Sequence, residues 1–135
     1  MKKNRHIWLI GLAVLGAWLG VQGWQISRYN RQTAAFPDDS IVGQGKPVLV
    51  EIGAASCIYC RRMIPVLTET AAEYGDQFSV ALVSLDRQPG AQERYGVQAI
   101  PTQVFYDGGG HELYRHTGSL SKQEILDRWQ QLGVD

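Results

Sequence analysis

The chain has 135 residues, 44% of them hydrophobic and 19% charged, which suits one globular domain and is too apolar for a disordered chain. Its formal net charge of zero hides an asymmetry: residues 1–31 carry five basic side chains and no acidic one, so the rest of the chain has a net charge of −5. A mildly acidic body lacks the basic face that phosphate binding needs, so we expect no nucleic acid among the partners.

The positive charge belongs to an N-terminal segment with the composition of a membrane helix. Residues 7–26 are uncharged, contain only two glutamines as strongly polar side chains, and are long enough to cross a bilayer. Trp8 and Trp24 stand where interfacial aromatic residues belong. We therefore predict a membrane anchor over residues 1–26. A cleaved signal peptide is the alternative, because the strictly apolar core of this segment is short enough for one.

The charges beside this segment predict its orientation. Lys2, Lys3 and Arg5 precede the apolar run, and the positive-inside tendency then keeps the N-terminus in the cytosol. We predict a single-pass protein of the inner (cytoplasmic) membrane, with its body in the periplasm or an equivalent compartment. Disulfides persist in such a compartment.

The remaining elements follow in chain order. Residues 27–46 are polar and interrupted by proline and glycine, which predicts a tether with one helical turn near Asp39, and residues 47–135 form the predicted domain. Its predicted elements are a buried strand after Pro47, a helix from Cys57 to about Tyr74 that contains Pro65, a buried strand at 78–85, a short helix at 89–96, two strands joined by Gly108-Gly109-Gly110, and a helix capped by Ser121. This order predicts an α/β fold with a central mixed sheet covered by helices on both faces.

Both cysteines of the chain lie in one motif, Cys57-Ile58-Tyr59-Cys60, at the start of a predicted helix. A structural zinc site needs four ligands, whereas His111 and His116 belong to the predicted hairpin and are expected to be exposed. A disulfide across so short a loop contributes little stability. A thiolate at a helix N-terminus with a second thiol one turn later can carry out dithiol–disulfide exchange. The pattern favours a redox pair, and a metal site shared between two chains is the alternative.

The surroundings of the pair resemble the thioredoxin family over most of residues 46–132. The likeness is carried by PVLVEIGAAS leading into CIYC, by RRMIPVL with its proline inside the helix, and by VSLDRQPGAQERYGVQAIPTQVFYDGGG followed by GSLSKQEIL. The resemblance implies a thioredoxin-like three-layer fold whose N-terminal strand and helix are truncated, preceded here by one transmembrane helix. It also implies an enzyme that exchanges protein thiols and disulfides without a cofactor.

The resemblance assigns a role to each residue of the site. Cys57 is the expected nucleophile, Cys60 the resolving cysteine, Glu51 a buried proton acceptor, and Pro101 a cis proline whose loop binds the substrate. The residues expected to contact substrate are Ser56, Ile58, Tyr59, Ile100 and Thr102, and none is expected to bind a metal. Two alternatives stay open, a Glu51 that faces solvent and a trans proline at position 101 that begins a strand.

The chain also departs from thioredoxin beside the cysteines. Ser56 stands where thioredoxin has tryptophan, Ile58-Tyr59 replaces Gly-Pro, and Leu82 replaces the lysine near the buried carboxylate. Residues around the thiolate set the redox potential and the partners. We predict a membrane-tethered reductase of protein disulfides that receives electrons from a membrane donor and serves redox homeostasis outside the cytosol. A dithiol oxidase or isomerase, and a non-catalytic metal-carrying module, are the alternatives.

Overall fold

The computed structural model describes residues 3–134, with side chains from residue 6 onwards. Its helices are α1 (Lys3–Thr33), α2 (Ile58–Tyr74), α3 (Ala91–Tyr95) and α4 (Lys122–Gln131), and its strands are β1 (Val48–Gly53), β2 (Ser79–Ser84), β3 (Thr102–Tyr106) and β4 (Glu112–Thr117). The predicted order of elements in the domain is confirmed.

The four strands form one mixed sheet in the order β2-β1-β3-β4. Strand β1 pairs in parallel with β2 and antiparallel with β3, and β3 pairs antiparallel with β4. All six residues of β1 are buried, as expected for a continuous apolar run in the centre of a covered sheet. The predicted mixed sheet is therefore confirmed, with the strand that leads into the cysteine motif at its middle.

Helices cover both faces of this sheet. On one face α2 and α4 pack over Leu49 and Phe105, and the ring of Trp129 lies 5.0 Å from that of Phe78 and 4.8 Å from that of Phe105. On the other face a second apolar cluster joins alternate residues of β1 and β2 to Ala91 of α3. The sheet thus holds α2, and with it the cysteine pair, in a fixed position.

The helix ends follow the capping signals in the sequence. Ser121 caps α4, and its side chain and that of Glu124 form the predicted capping box. Gly75 follows the last residue of α2, and Gly96 ends α3 with a φ of 60°. Pro65 lies inside α2, as predicted from the sequence.

The segment between the apolar run and the domain differs from the prediction. Residues 27–33, predicted to begin a tether, continue α1, and Tyr29 and Thr33 are buried with exposed fractions of 1% and 0%. The helix continues because no glycine or proline interrupts the chain between Gly23 and Pro37. The predicted helical turn after Asp38 is present as a 3-10 helix at Asp39–Ile41.

The rest of this segment also contacts the domain. The backbone N–H of Leu82 donates to the carbonyl of Pro37 at 2.9 Å, and the N–H of Gly45 donates to the carbonyl of Gly108 at the same distance. These bonds place the segment against the edge strand β2 and the β3–β4 turn. The division into anchor, tether and domain stays a prediction.

Helix α1 is long and apolar enough to cross a membrane, and its apolar side chains between residues 7 and 26 are exposed. An exposed apolar surface of this size on one isolated helix has no partner within the described chain. The predicted N-terminal apolar helix is therefore present.

Candidate active site

The cysteine pair lies where β1 leads into α2. Cys57 is the N-cap of α2, and the backbone N–H of Cys60 points at its Sγ from 3.1 Å. The two residues are joined as a disulfide, with their Cα atoms 5.3 Å apart. Cys57 is partly exposed, whereas Cys60 is 1% exposed. Reduction would leave the sulfur of Cys57 at a helix N-terminus, where the helix dipole and free N–H groups favour a thiolate.

The loop before β3 brings a proline opposite this pair. The Ile100–Pro101 peptide bond is cis, so the trans alternative is wrong. The carbonyl oxygen of Ile100 lies 3.8 Å from Sγ of Cys57. Ile100 is half-buried and Pro101 is buried. This loop therefore forms the second wall of the surface on which the accessible cysteine lies.

Glu51 is buried within β1, and the solvent-facing alternative is wrong. Its residue is 1% exposed, because β1 is covered on both faces and neither side of the strand reaches water. Gln103 stands opposite on β3, and its Nε2 donates to Oε2 of the carboxylate at 2.7 Å. Burial raises the pKa of Glu51 to about 8, with the bond from Gln103 opposing this effect. The group can therefore exchange a proton near neutral pH.

Two further contacts shape the loop between β1 and the motif. A carboxylate oxygen of Asp86 accepts from the N–H of Ala55 at 2.7 Å, and Nη1 of Arg61 donates to the carbonyl of Ala55 at 2.6 Å. Together they fix both backbone polar groups of Ala55, the residue that precedes Ser56. Sequence reasoning missed Asp86, Arg61 and Gln103. For Gln103 a signal existed, since a polar residue inside the apolar strand TQVFY suggests a buried partner.

The residues predicted to contact substrate separate into two groups. Ser56, Ile58 and Tyr59 are exposed, and the side chains of Ile58 (47% exposed) and Tyr59 (56% exposed) form an apolar surface beside Cys57. Thr102 is 2% exposed, and its hydroxyl donates to the carbonyl of Ala99 at 2.7 Å. Its side chain supports the cis-proline loop from within and does not reach this surface.

A cavity of about 830 Å³ lies on another side of α2, against the end of α1. Arg28, Arg61 and Pro65 are among its lining residues, and none of the predicted substrate-contacting residues is. His111 is exposed and hydrogen-bonded to Asp107. In the part of the chain that the structure describes, no three histidine, cysteine or carboxylate side chains converge as metal ligands.

Comparison with known proteins gives consistent matches. The thioredoxin family model matches residues 30–131. A thioredoxin of Mycolicibacterium smegmatis is 38% identical over 100 residues, which cover 70% of this chain and 88% of the relative. The protein disulfide-isomerase erp38 of Neurospora crassa is 38% identical over 84 residues, 60% of this chain and 23% of that protein. The exposed lipoprotein thioredoxin of Streptococcus pneumoniae strain TIGR4 superimposes with a TM-score of 0.59 at 26% identity, covering 66% of this chain and 87% of that one.

Proposed function

This chain belongs to the thioredoxin family and is a thiol–disulfide oxidoreductase, and we propose that it reduces protein disulfides outside the cytosol while α1 anchors it in the inner membrane. One observation carries the proposal: the two cysteines have unequal environments. Cys57 is accessible at a helix N-terminus beside the cis-proline loop, and Cys60 is enclosed in the apolar core. This asymmetry supports a fixed order of reaction, in which Cys57 meets the substrate and Cys60 completes the turnover.

In the first step the thiolate of Cys57 attacks one sulfur of a substrate disulfide. A mixed disulfide forms, the substrate disulfide breaks, and the other substrate sulfur leaves as a thiolate that takes a proton from water. The exposed side chains of Ile58 and Tyr59 offer an apolar surface for the substrate at this point. The backbone beside Ile100 is close enough to the reacting sulfur to align an extended segment.

In the second step Cys60 attacks Sγ of Cys57, the bond to the substrate breaks, and the substrate sulfur leaves as a thiolate that takes a proton from water. The proton of the Cys60 thiol passes to Glu51, whose pKa of about 8 lets the carboxylate form act as an acceptor near neutral pH. The enzyme ends with the Cys57–Cys60 disulfide, and two electrons have passed to the substrate. Reduction of this disulfide by a dithiol carrier in the membrane would complete the cycle.

Two observations support the location. The apolar residues of α1 are exposed along the length needed to cross a bilayer, and the charges that precede them favour a cytosolic N-terminus. The pneumococcal neighbour is described as an exposed lipoprotein, and a thioredoxin fold at a membrane surface is what we propose for this chain. If instead a signal peptide is cleaved, the mature protein will begin near residue 27, and N-terminal sequencing of the protein isolated from cells will show it.

The experiment that tests the direction of electron flow is the reduction potential of the purified protein. A value near −270 mV supports a reductase, whereas a value near −120 mV indicates a dithiol oxidase. The Cys60→Ala variant should accumulate mixed disulfides through Cys57 in cells, and mass spectrometry of the trapped species would identify substrates and the membrane donor. Stoichiometric metal on the reduced protein together with no reduction of insulin would support the metal-carrying module instead.

A further inference from the structure

A tyrosine from the end of α1 lies inside the active site. Tyr29 is 1% exposed, and its hydroxyl has no hydrogen-bond partner among the residues that the structure describes. It belongs to the apolar cluster that also contains Cys60 and Met63. Burying a hydroxyl without a partner costs free energy that a phenylalanine at the same position would not lose. Packing alone therefore does not explain a tyrosine here.

Gly53 shows where this hydroxyl points. A Cβ atom on Gly53 would lie 3.0 Å from the Tyr29 hydroxyl, 3.0 Å from Cβ of Cys60 and 3.2 Å from Sγ of Cys60. The hydroxyl and the buried sulfur thus border the same small space, which a side chain at position 53 would fill. The glycine at the end of β1 leaves this space free.

Of the polar side chains near the buried cysteine, the Tyr29 hydroxyl is the one that borders this space beside the sulfur. Glu51, two residues earlier on β1, has one carboxylate oxygen without a partner among the described residues. Its other oxygen is occupied by Gln103, and the residue opposite Glu51 on β2 is the apolar Leu82. When the disulfide opens, a second polar group appears here as the sulfur of Cys60.

We propose that the Tyr29 hydroxyl donates a hydrogen bond to the sulfur of Cys60 while that sulfur reacts, and so stabilises its thiolate in the resolving step. The inference rests on the proposed exchange mechanism. The Cys60 proton goes to Glu51, the S–S bond to Cys57 forms as the bond to the substrate breaks, and the tyrosine keeps its own proton. A hydrogen bond to an ionised sulfur is stronger than one to a neutral thiol, so it lowers the barrier of this step.

The test uses the full-length protein in detergent and a fluorescent disulfide peptide, with the two phases of a single turnover followed by stopped flow. In Tyr29→Phe we expect the resolving phase to slow roughly threefold at pH 7, with its pH profile moving about one unit upwards, because the thiolate forms less readily although it is the stronger nucleophile once formed. The first phase should stay within about twofold of wild type, and the Cys60→Ala background isolates it. Tyr95→Phe is the matched control, since it removes the hydroxyl of a half-buried tyrosine, bonded to Asp39, on the opposite face of the sheet.

Several outcomes would overturn the inference. Resolution in Tyr29→Phe at the wild-type rate and with the wild-type pH profile would remove any role for the hydroxyl. Equal slowing of the resolving phase in Tyr95→Phe would show that the effect comes from general destabilisation of the fold. A wild-type protein that forms no mixed disulfide at all would refute the exchange mechanism itself, and that result is distinct from the other two.

Discussion

The side-chain amide of Gln103 donates to the buried carboxylate of Glu51 across the β1–β3 pairing, at 2.7 Å. The two residues are directly opposite in register, and neither is more than 1% exposed. The bond fixes the direction of the carboxylate and partly offsets the rise of its pKa that burial causes. The other oxygen stays free to take a proton, since it has no partner among the described residues.

Gln103→Leu should therefore raise the pKa of Glu51 above its present value of about 8, because burial then acts unopposed. Less carboxylate is then available at pH 7, and resolution of the mixed disulfide should slow several-fold and recover as the pH rises. The measurement is the pH profile of the resolving phase. Gln98→Leu is the control, because Gln98 is exposed. A pH profile that does not move would show that Gln103 has no effect on the pKa of Glu51.

The raised pKa of Glu51 also predicts how stability depends on pH. The folded protein holds this proton up to about pH 8, whereas the unfolded chain releases it near 4.5. The folded state therefore binds more protons between these values, and the free energy of unfolding should fall as the pH rises, by at most about 1.4 kcal/mol per unit.

Glu51→Gln removes this dependence, so its stability should be flatter between pH 4.5 and 8 and should exceed that of the wild type at the upper end. Urea unfolding of both oxidised proteins at pH 5, 6.5 and 8 gives the comparison. Parallel curves for the two proteins would mean that the carboxyl is not the group responsible.

Tyr59→Ala should weaken reduction of proteins without destabilising the enzyme. The ring is 56% exposed beside the reactive cysteine and lies under the guanidinium of Arg62, with the carbon of that group 5.9 Å from the ring centre. Losing an apolar contact of this kind costs about 1 kcal/mol, so kcat/KM for insulin should fall roughly fivefold. A small disulfide that thiolates reduce readily, such as 5,5′-dithiobis(2-nitrobenzoic acid), should react at an unchanged rate. Leu113→Ala, an exposed apolar residue on β4, is the control.

Local patterns in the sequence were sufficient for the elements and for most of the site. The capping box at Ser121 and the apolar run before Cys57 depend on near neighbours, and the structure has both. The pairing of Gln103 with Glu51 depends on the register between β1 and β3, which the sequence of one strand does not specify.

Tyr29 escaped prediction for a related reason. Its neighbours SRYNRQT are polar and suggest a linker, and one aromatic residue among them gives no periodic signal. Its burial results from packing against β1 and α2, elements that begin 19 and 29 residues further along the chain. Such contacts decide the environment of the buried cysteine, and they become visible only once the chain is folded.

The end of α1 gives the last prediction, which concerns where the folded unit begins. A fragment of residues 27–135 lacks the apolar span but keeps Tyr29 and Thr33, so it should be soluble and cooperatively folded. Residues 34–135 lose both buried side chains, and the cavity left by an aromatic ring typically costs about 3–5 kcal/mol. Tyr29→Ala in the longer fragment should reproduce most of this loss. That result would show that the Tyr29 side chain, and not the backbone of residues 27–33, provides the stability. Urea unfolding midpoints measure all three proteins. Equal midpoints would mean that α1 ends outside the cooperative unit, and the domain would then begin near residue 47 as the sequence predicts.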